Sequence, residues 1–176
     1  DARYEGAPEG IEWGSIHQQF GIPLHQMRCS SRGDDSVPAL LHMLRRELLM
    51  RDGIHSKYIY RINPDQRDVQ NAKECINTGN FDSSRISDPH IFASLIKHWL
   101  RDLPVCILKN FQFSDIHLLA SLAIENSSDG SLTLICAFDQ LDAQANKLLD
   151  LLPCQDRGVF LWLLDHMLEV VDKSKV

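Results

Sequence analysis

The segment from Asp88 to Pro104 leaves little choice of local structure. Asp88 is a good helix cap, and Pro89 suits the first helical position because its missing N–H would be unpaired there anyway. Phe92, Leu95, Ile96, Trp99 and Leu100 then recur at spacings of three and four, which places them on one side of a helix. His90, Ser94, Lys97 and Arg101 form a row on the other side. Pro104 stops the helix. A helix with one apolar side must be covered by other elements, so this segment sets the kind of fold to look for.

The rest of the chain supplies more helices. Val37, Leu40, Leu41, Leu44 and Leu48 form a second stripe, with Asp35 or Ser36 available as cap, Pro38 in the first turn and Asp52-Gly53 at the end. The stretch 54–62 reads as a loop or brief extended piece closed by Asn63-Pro64. A helix is predicted over 65–77, ended by Thr78-Gly79. Further helical stretches are predicted near 114–125, 131–152 and 156–173, with a break at 126–130. In the last of them Phe160, Leu163, Leu164, Met167, Leu168 and Val171 make a wide apolar face. No run alternates long enough to support a sheet, so the expected fold class is all-α. Residues 1–19, rich in Gly and Pro, read as an irregular N-terminal arm pinned by Trp13 and Phe20, and 30–35 reads as a loop.

Bulk properties exclude several functions. A chain of 176 residues fits one well-cored domain. Its net charge of -6 argues against nucleic acid, which needs a concentrated basic surface. No stretch has the length and apolarity of a membrane span, and no signal-peptide pattern opens the chain. Cys29, Cys75, Cys106, Cys136 and Cys154 lack zinc or redox spacing. Cys75, Cys106 and Cys136 read as small buried hydrophobes, and all five as reduced thiols of a cytoplasmic protein. No His pair has metalloprotease spacing, no nucleophile elbow is present, and no Gly-rich loop with Lys-Ser/Thr suggests a nucleotide binder.

Arg61 remains, on the loop after Asp52-Gly53, together with Lys97 and Arg101 one helical turn apart. Each has an ordinary reading: an exposed arginine capping a helix, and a solvated helix face. The other reading is a phosphate-handling group, an arginine offered to another protein beside a basic helix. Trp99, among Leu and Ile, reads as core.

The order of motifs decides between them. Phe20-Gly21-Ile22-Pro23-Leu24, Val37-Pro38, Tyr58-Ile59-Tyr60-Arg61, the Lys97–Pro104 segment and Leu151-Leu152-Pro153 follow one another as in the RhoGAP domain, which this chain resembles from about residue 20 to its end. The Arg61-Ile62-Asn63 form, with Leu95-Ile96-Lys97, looks closest to the plant Rop GTPase-activating proteins. The resemblance implies a single helical bundle over 20–176. It implies that Arg61 is an arginine finger supplied in trans to a Rho-family small GTPase (Rho, Rac or Rop type). Lys97 and Arg101 would hold the finger loop's backbone or meet acidic groups of the GTPase, with Tyr60 and Asn63 also at the loop. Pro104 would end the supporting helix. No cofactor of its own is implied: GTP, Mg²⁺ and the glutamine that positions the water would belong to the partner. Location would be cytoplasmic, at most peripheral to the plasma membrane through that partner.

The chain also departs from the family pattern. Tyr58 stands where the family has Gly, so the loop is expected to use positive φ less freely. Asn63-Pro64 replaces Ser-Gly, and Val105-Cys106 follows Pro104 in place of Glu-Pro. The sequence ends where the family's NKM motif would begin, so the domain looks truncated and the last helix is expected to show an apolar face that favours self-association. These departures motivate the alternative of a catalytically weak or inactive RhoGAP-like module that binds a small GTPase or another protein as a scaffold.

Overall fold

In the computed structural model, residues 18–29, 37–126, 132–134 and 138–173 are described. Trp13, the loop over 30–35, the candidate caps Asp35 and Ser36, and Cys136 lie outside them. Among the described residues, six helices carry the fold: α1 (Ala39–Met50), α2 (Gln66–Asn77), α3 (Pro89–Arg101), α4 (Phe113–Ala123), α5 (Phe138–Asp150) and α6 (Cys154–Lys173). Short 3-10 turns sit at Leu24–Gln26, Gly53–His55 and Ser83–Arg85.

The centre is α1 against α3. Leu40, Leu41, Leu44 and Leu48 of α1 are fully buried, as the stripe requires. On α3 the burial is wider than one side: all six residues from Ile91 to Ile96, and Trp99, are buried. Ser94 therefore does not belong to a solvated face. A helix apolar most of the way round is a central helix, and α2 covers it with Val69, Ala72 and Ile76. Asp88 caps α3, its side chain accepting from the His90 N–H at 2.9 Å.

Local chemistry also ends α2. Gly79 has φ +75°, and the Asn80 N–H donates to the Cys75 carbonyl at 2.9 Å, closing the helix with the left-handed residue that glycine supplies. The Asn77 Oδ1 accepts from the N–H groups of Gln19 and Phe20, and Phe20 is buried. Arg51 locks the end of α1 to the following loops. It donates to the Ser83 and Ile86 carbonyls at 2.6 and 2.7 Å, pairs with the buried Glu47 carboxylate at 2.7 Å, and lies over the Phe92 ring.

Two expectations need correction and two others are narrowed. First, β1 (Ile124–Asn126) and β2 (Leu132–Leu134) form a two-stranded antiparallel hairpin, Ile124 opposite Leu134, within an otherwise helical fold. The helix expected from residue 131 begins at Phe138. Three-residue strands are too short for alternation to reveal. Second, of the two readings of 54–62, loop or brief extended piece, the loop holds: a 3-10 turn and tight turns fill it. Third, Cys75 and Cys106 are exposed thiols, since both fall on the outward side of their segments. Fourth, the buried stripe of α6 is Val159, Trp162 and His166, with Phe160, Leu163 and Val170 partly covered. Leu164, Met167, Leu168 and Val171 are exposed, with Leu161, so the uncovered apolar face expected on the last helix is present on this side. Apolar residues surround most of this helix, so periodicity could not select the side its neighbours cover.

Among the described residues no helix is long and apolar enough to cross a membrane, and no group of His, Cys, Asp or Glu could hold a metal ion.

Candidate functional site

The loop that carries Arg61 is fixed from below by a glycine. A Cβ on Gly53 would lie 2.6 Å from Leu48 Cδ1 and 2.8 Å from Pro89 Cβ, so only glycine lets the chain leave α1 across the start of α3. The chain then turns tightly. The Ile59 N–H donates to the Ser56 carbonyl, and the N–H groups of Arg61 and Ile62 both donate to the Tyr58 carbonyl, at 2.7 and 3.0 Å. Ile59 is buried and anchors the turn.

Tyr58 sits at the pivot with φ +62°. The absence of glycine here was expected to limit positive φ, and the structure shows the left-handed conformation adopted by a tyrosine. It costs about 1–2 kcal/mol for an L side chain, which the two converging hydrogen bonds to its carbonyl offset. The exposed Tyr58 ring gathers two cations, Lys57 Nζ at 5.2 Å and the Arg61 guanidinium at 5.9 Å from its centroid. Among the described residues, the Arg61 guanidinium makes no hydrogen bond or ion pair, and the residue is exposed.

Tyr60, one residue earlier, is tethered at both ends. Its carbonyl accepts from Lys97 Nζ at 3.0 Å. Its hydroxyl is hydrogen-bonded to His166 Nε2, and the two rings meet edge-on with centroids 5.7 Å apart. Burial pushes the Tyr60 phenol far above its usual range, so it stays neutral. The loop is thus held by α3 through Lys97 and by α6 through His166, while the Arg61 guanidinium has only the Tyr58 ring beside it among the described residues.

Arg101, one turn beyond Lys97, is exposed, and its Nε lies 3.4 Å from Asp102 Oδ1. Asp102 caps α3 and takes Lys73 Nζ from α2. Burial alone would raise its pKa, but the Lys73 and Arg101 cations hold it below the usual carboxylate range. His98, on the same stretch, is pushed down by burial and then by the Arg101 charge. Lys97, Tyr60 and Arg61 are brought together, with Arg101 on the same helix as Lys97. Asn63 is exposed and its side chain makes no hydrogen bond among the described residues. Pro104 lies exposed just past the α3 cap, and Trp99 is core.

His166 was missed by sequence reasoning. The available signal was a lone imidazole in the Leu163–Leu168 run, one turn after Trp162. A cleft of ≈ 310 Å³ beside α2, lined by Asp68, Cys75, Phe81, Arg85 and Ile91 among others, contains none of these residues. The candidate site is instead an exposed loop that carries Lys57, Tyr58 and Arg61.

Comparison with known proteins gives a consistent picture. The RhoGAP domain model matches residues 38–176. Rho GTPase-activating protein 2 of Arabidopsis thaliana is 27% identical over 157 residues, covering 89% of this chain and 31% of that protein. Rho GTPase-activating protein 3 of the same plant is 36% identical over 91 residues, 51% of this chain and 19% of that protein. The gacA protein of Dictyostelium discoideum, also a Rho GTPase-activating protein, is 36% identical over 91 residues, covering 52% and 26%. The chain therefore spans a third or less of the length of these relatives. The crystal structure of human Rho GTPase activating protein 15 superposes with a TM-score of 0.65 at 20% identity, over 92% of this chain and 71% of that one, which establishes the shared fold.

Proposed function

Because this chain belongs to the RhoGAP domain family, we propose that it accelerates GTP hydrolysis by a Rho-family small GTPase, with Arg61 as an arginine finger in trans. The observation that carries this reading is the contrast between Tyr60 and Arg61. Tyr60 is held by Lys97 and His166, while the guanidinium beside it is exposed with no hydrogen bond or ion pair among the described residues. A preorganised cation at the tip of a tight turn is what stabilisation of a phosphoryl-transfer transition state needs.

On this reading Arg61 enters the GTPase's nucleotide site and neutralises charge growing on the transferred phosphoryl group and the leaving oxygen. Lys97 holds the loop that bears it. Arg101 and Lys57 remain outward-facing, placed to meet acidic groups of the partner and speed encounter. Nucleotide, Mg²⁺ and attacking water belong to the GTPase, so the chain works as an activator of another protein's catalysis, in the cytoplasm.

The test is single-turnover GTP hydrolysis by a Rho-family GTPase with the wild-type chain and with Arg61→Ala. The expected loss is ~10³-fold in stimulated rate, with binding to the GTP-bound partner retained. Arg61→Lys should not restore the rate, since a single ammonium lacks the planar fork of donors. Equal stimulation by wild type and Arg61→Ala would overturn the mechanism. Binding without stimulation by either would identify a docking module.

A further inference from the structure

We propose that His166 is a positioning residue for the finger: through the Tyr60 hydroxyl it latches α6 to the loop that presents Arg61. The inference rests on the function proposed above, and its structural half can be tested without it.

His166 is fully buried, and its ring has two engagements. One face stacks on Trp162, with centroids 5.4 Å apart and planes 22° from parallel, which fixes the ring plane. Trp162 in turn meets His42 of α1 edge-on, tying the stack to the central helix pair. The edge of the imidazole presents Nε2 to the Tyr60 hydroxyl. An apolar residue at 166 could pack against Trp162 equally well, but it could not hold a hydroxyl. Stacking therefore explains an aromatic ring at this position, and only the Tyr60 bond uses its nitrogen.

That bond acts at the one place where it bears on Arg61. Lys97 restrains the backbone of Tyr60 at its carbonyl, which leaves rotation of the side chain and tilting of the turn as the remaining freedoms. The hydroxyl tether removes both. The turn's own bonds, from the Arg61 and Ile62 N–H groups to the Tyr58 carbonyl, then carry this fixed geometry to the guanidinium. Neither tether touches a substrate; both act through Tyr60. Burial pushes His166 down to about 4, so the latch stays between two neutral groups around neutral pH.

Tyr60→Phe removes only the hydroxyl, and His166→Phe removes the nitrogen side of the bond while keeping a ring, somewhat larger, to stack on Trp162. Each variant and the pair are compared with wild type in single-turnover hydrolysis over a range of chain concentrations. Amide hydrogen exchange at Arg61 and Ile62 is measured in the chain alone. The expected result is a ~10-fold lower maximal rate, because a misplaced catalytic group loses much of its effect, with the half-saturating concentration unchanged. The double variant should cost no more than either single one, exchange should quicken in all three, and His166→Gln, whose amide can reach the hydroxyl, should recover most of the rate. Faster exchange without loss of rate, or additive losses in the double variant, would overturn positioning. If the wild-type chain stimulates no hydrolysis, the proposed function fails; unchanged exchange in Tyr60→Phe would separately sink the latch.

Discussion

Lys97 Nζ donates to the carbonyl oxygen of Tyr60 at 3.0 Å, across a separation of 37 residues in sequence. The bond joins the central helix to the loop residue that precedes Arg61, and a half-buried lysine spends its charge on one backbone oxygen there. The family resemblance left two uses open for Lys97 and Arg101, holding the loop or meeting the partner. The geometry places Lys97 on the loop's backbone and leaves Arg101 exposed.

Lys97→Met keeps the side chain's length and removes the donor. It should lower the stimulated rate by ~10–100-fold through a loosened loop, while costing about 1.5–3 kcal/mol of stability, the usual worth of a hydrogen bond from a charged donor. Paired rate and denaturation measurements check this. A loss of stability large enough to account for the rate would assign Lys97 to folding instead.

Tyr58→Gly should stabilise the chain modestly. The left-handed conformation costs a tyrosine about 1–2 kcal/mol, the added chain entropy of glycine takes back roughly 0.5–1 kcal/mol, and the exposed ring buries little. Tyr58→Val should change stability in the opposite direction, because a β-branched residue tolerates this φ least. Urea midpoints at constant slope would show the two shifts.

Gly53→Ala places a methyl group 2.6 Å from Leu48 Cδ1 and 2.9 Å from the Leu48 carbonyl oxygen. Backbone must move to admit it, so a loss of ~1–3 kcal/mol is expected, as for overpacking. The start of the finger loop should shift with it, and the stimulated rate should fall even at temperatures where the variant is folded. Thermal unfolding alongside activity at low temperature distinguishes the two effects.

His166 gives stability a defined pH dependence. Burial first, and then the Arg45 charge, lower its pKa from 6.5 to about 4, against an opposing pull from Glu169; Tyr60 faces it as a neutral phenol. The unfolded chain therefore binds this proton more readily than the folded one. The contribution of neutral His166 is complete above about pH 6.5 and falls as pH drops towards 4, by ~3 kcal/mol over that window. Replacing it by the non-titrating His166→Gln should flatten the stability profile between those values and leave it unchanged above them. Parallel curves for the two proteins would show that His166 is not the responsible group.

The amino-acid sequence by itself determined the elements whose boundaries are written locally. Asp88, Pro89 and the Phe92–Trp99 spacing set α3, Asp65 and Gly79 bracket α2, and the Leu40–Leu48 stripe orients α1, because capping and one-sided burial need only neighbours within a turn or two. The motif order likewise brought Arg61, Tyr60, Lys97 and Arg101 into view. Tertiary structure decided the rest. Which side of α6 is buried depends on where α1 and the Arg61 loop lie, since much of that helix's surface is apolar. The positive φ of Tyr58 is held by a turn whose direction is set by buried Ile59 and close-packed Gly53. The bonds of Lys97 and His166 to Tyr60 span 37 and 106 residues, and no local pattern encodes distances of that kind.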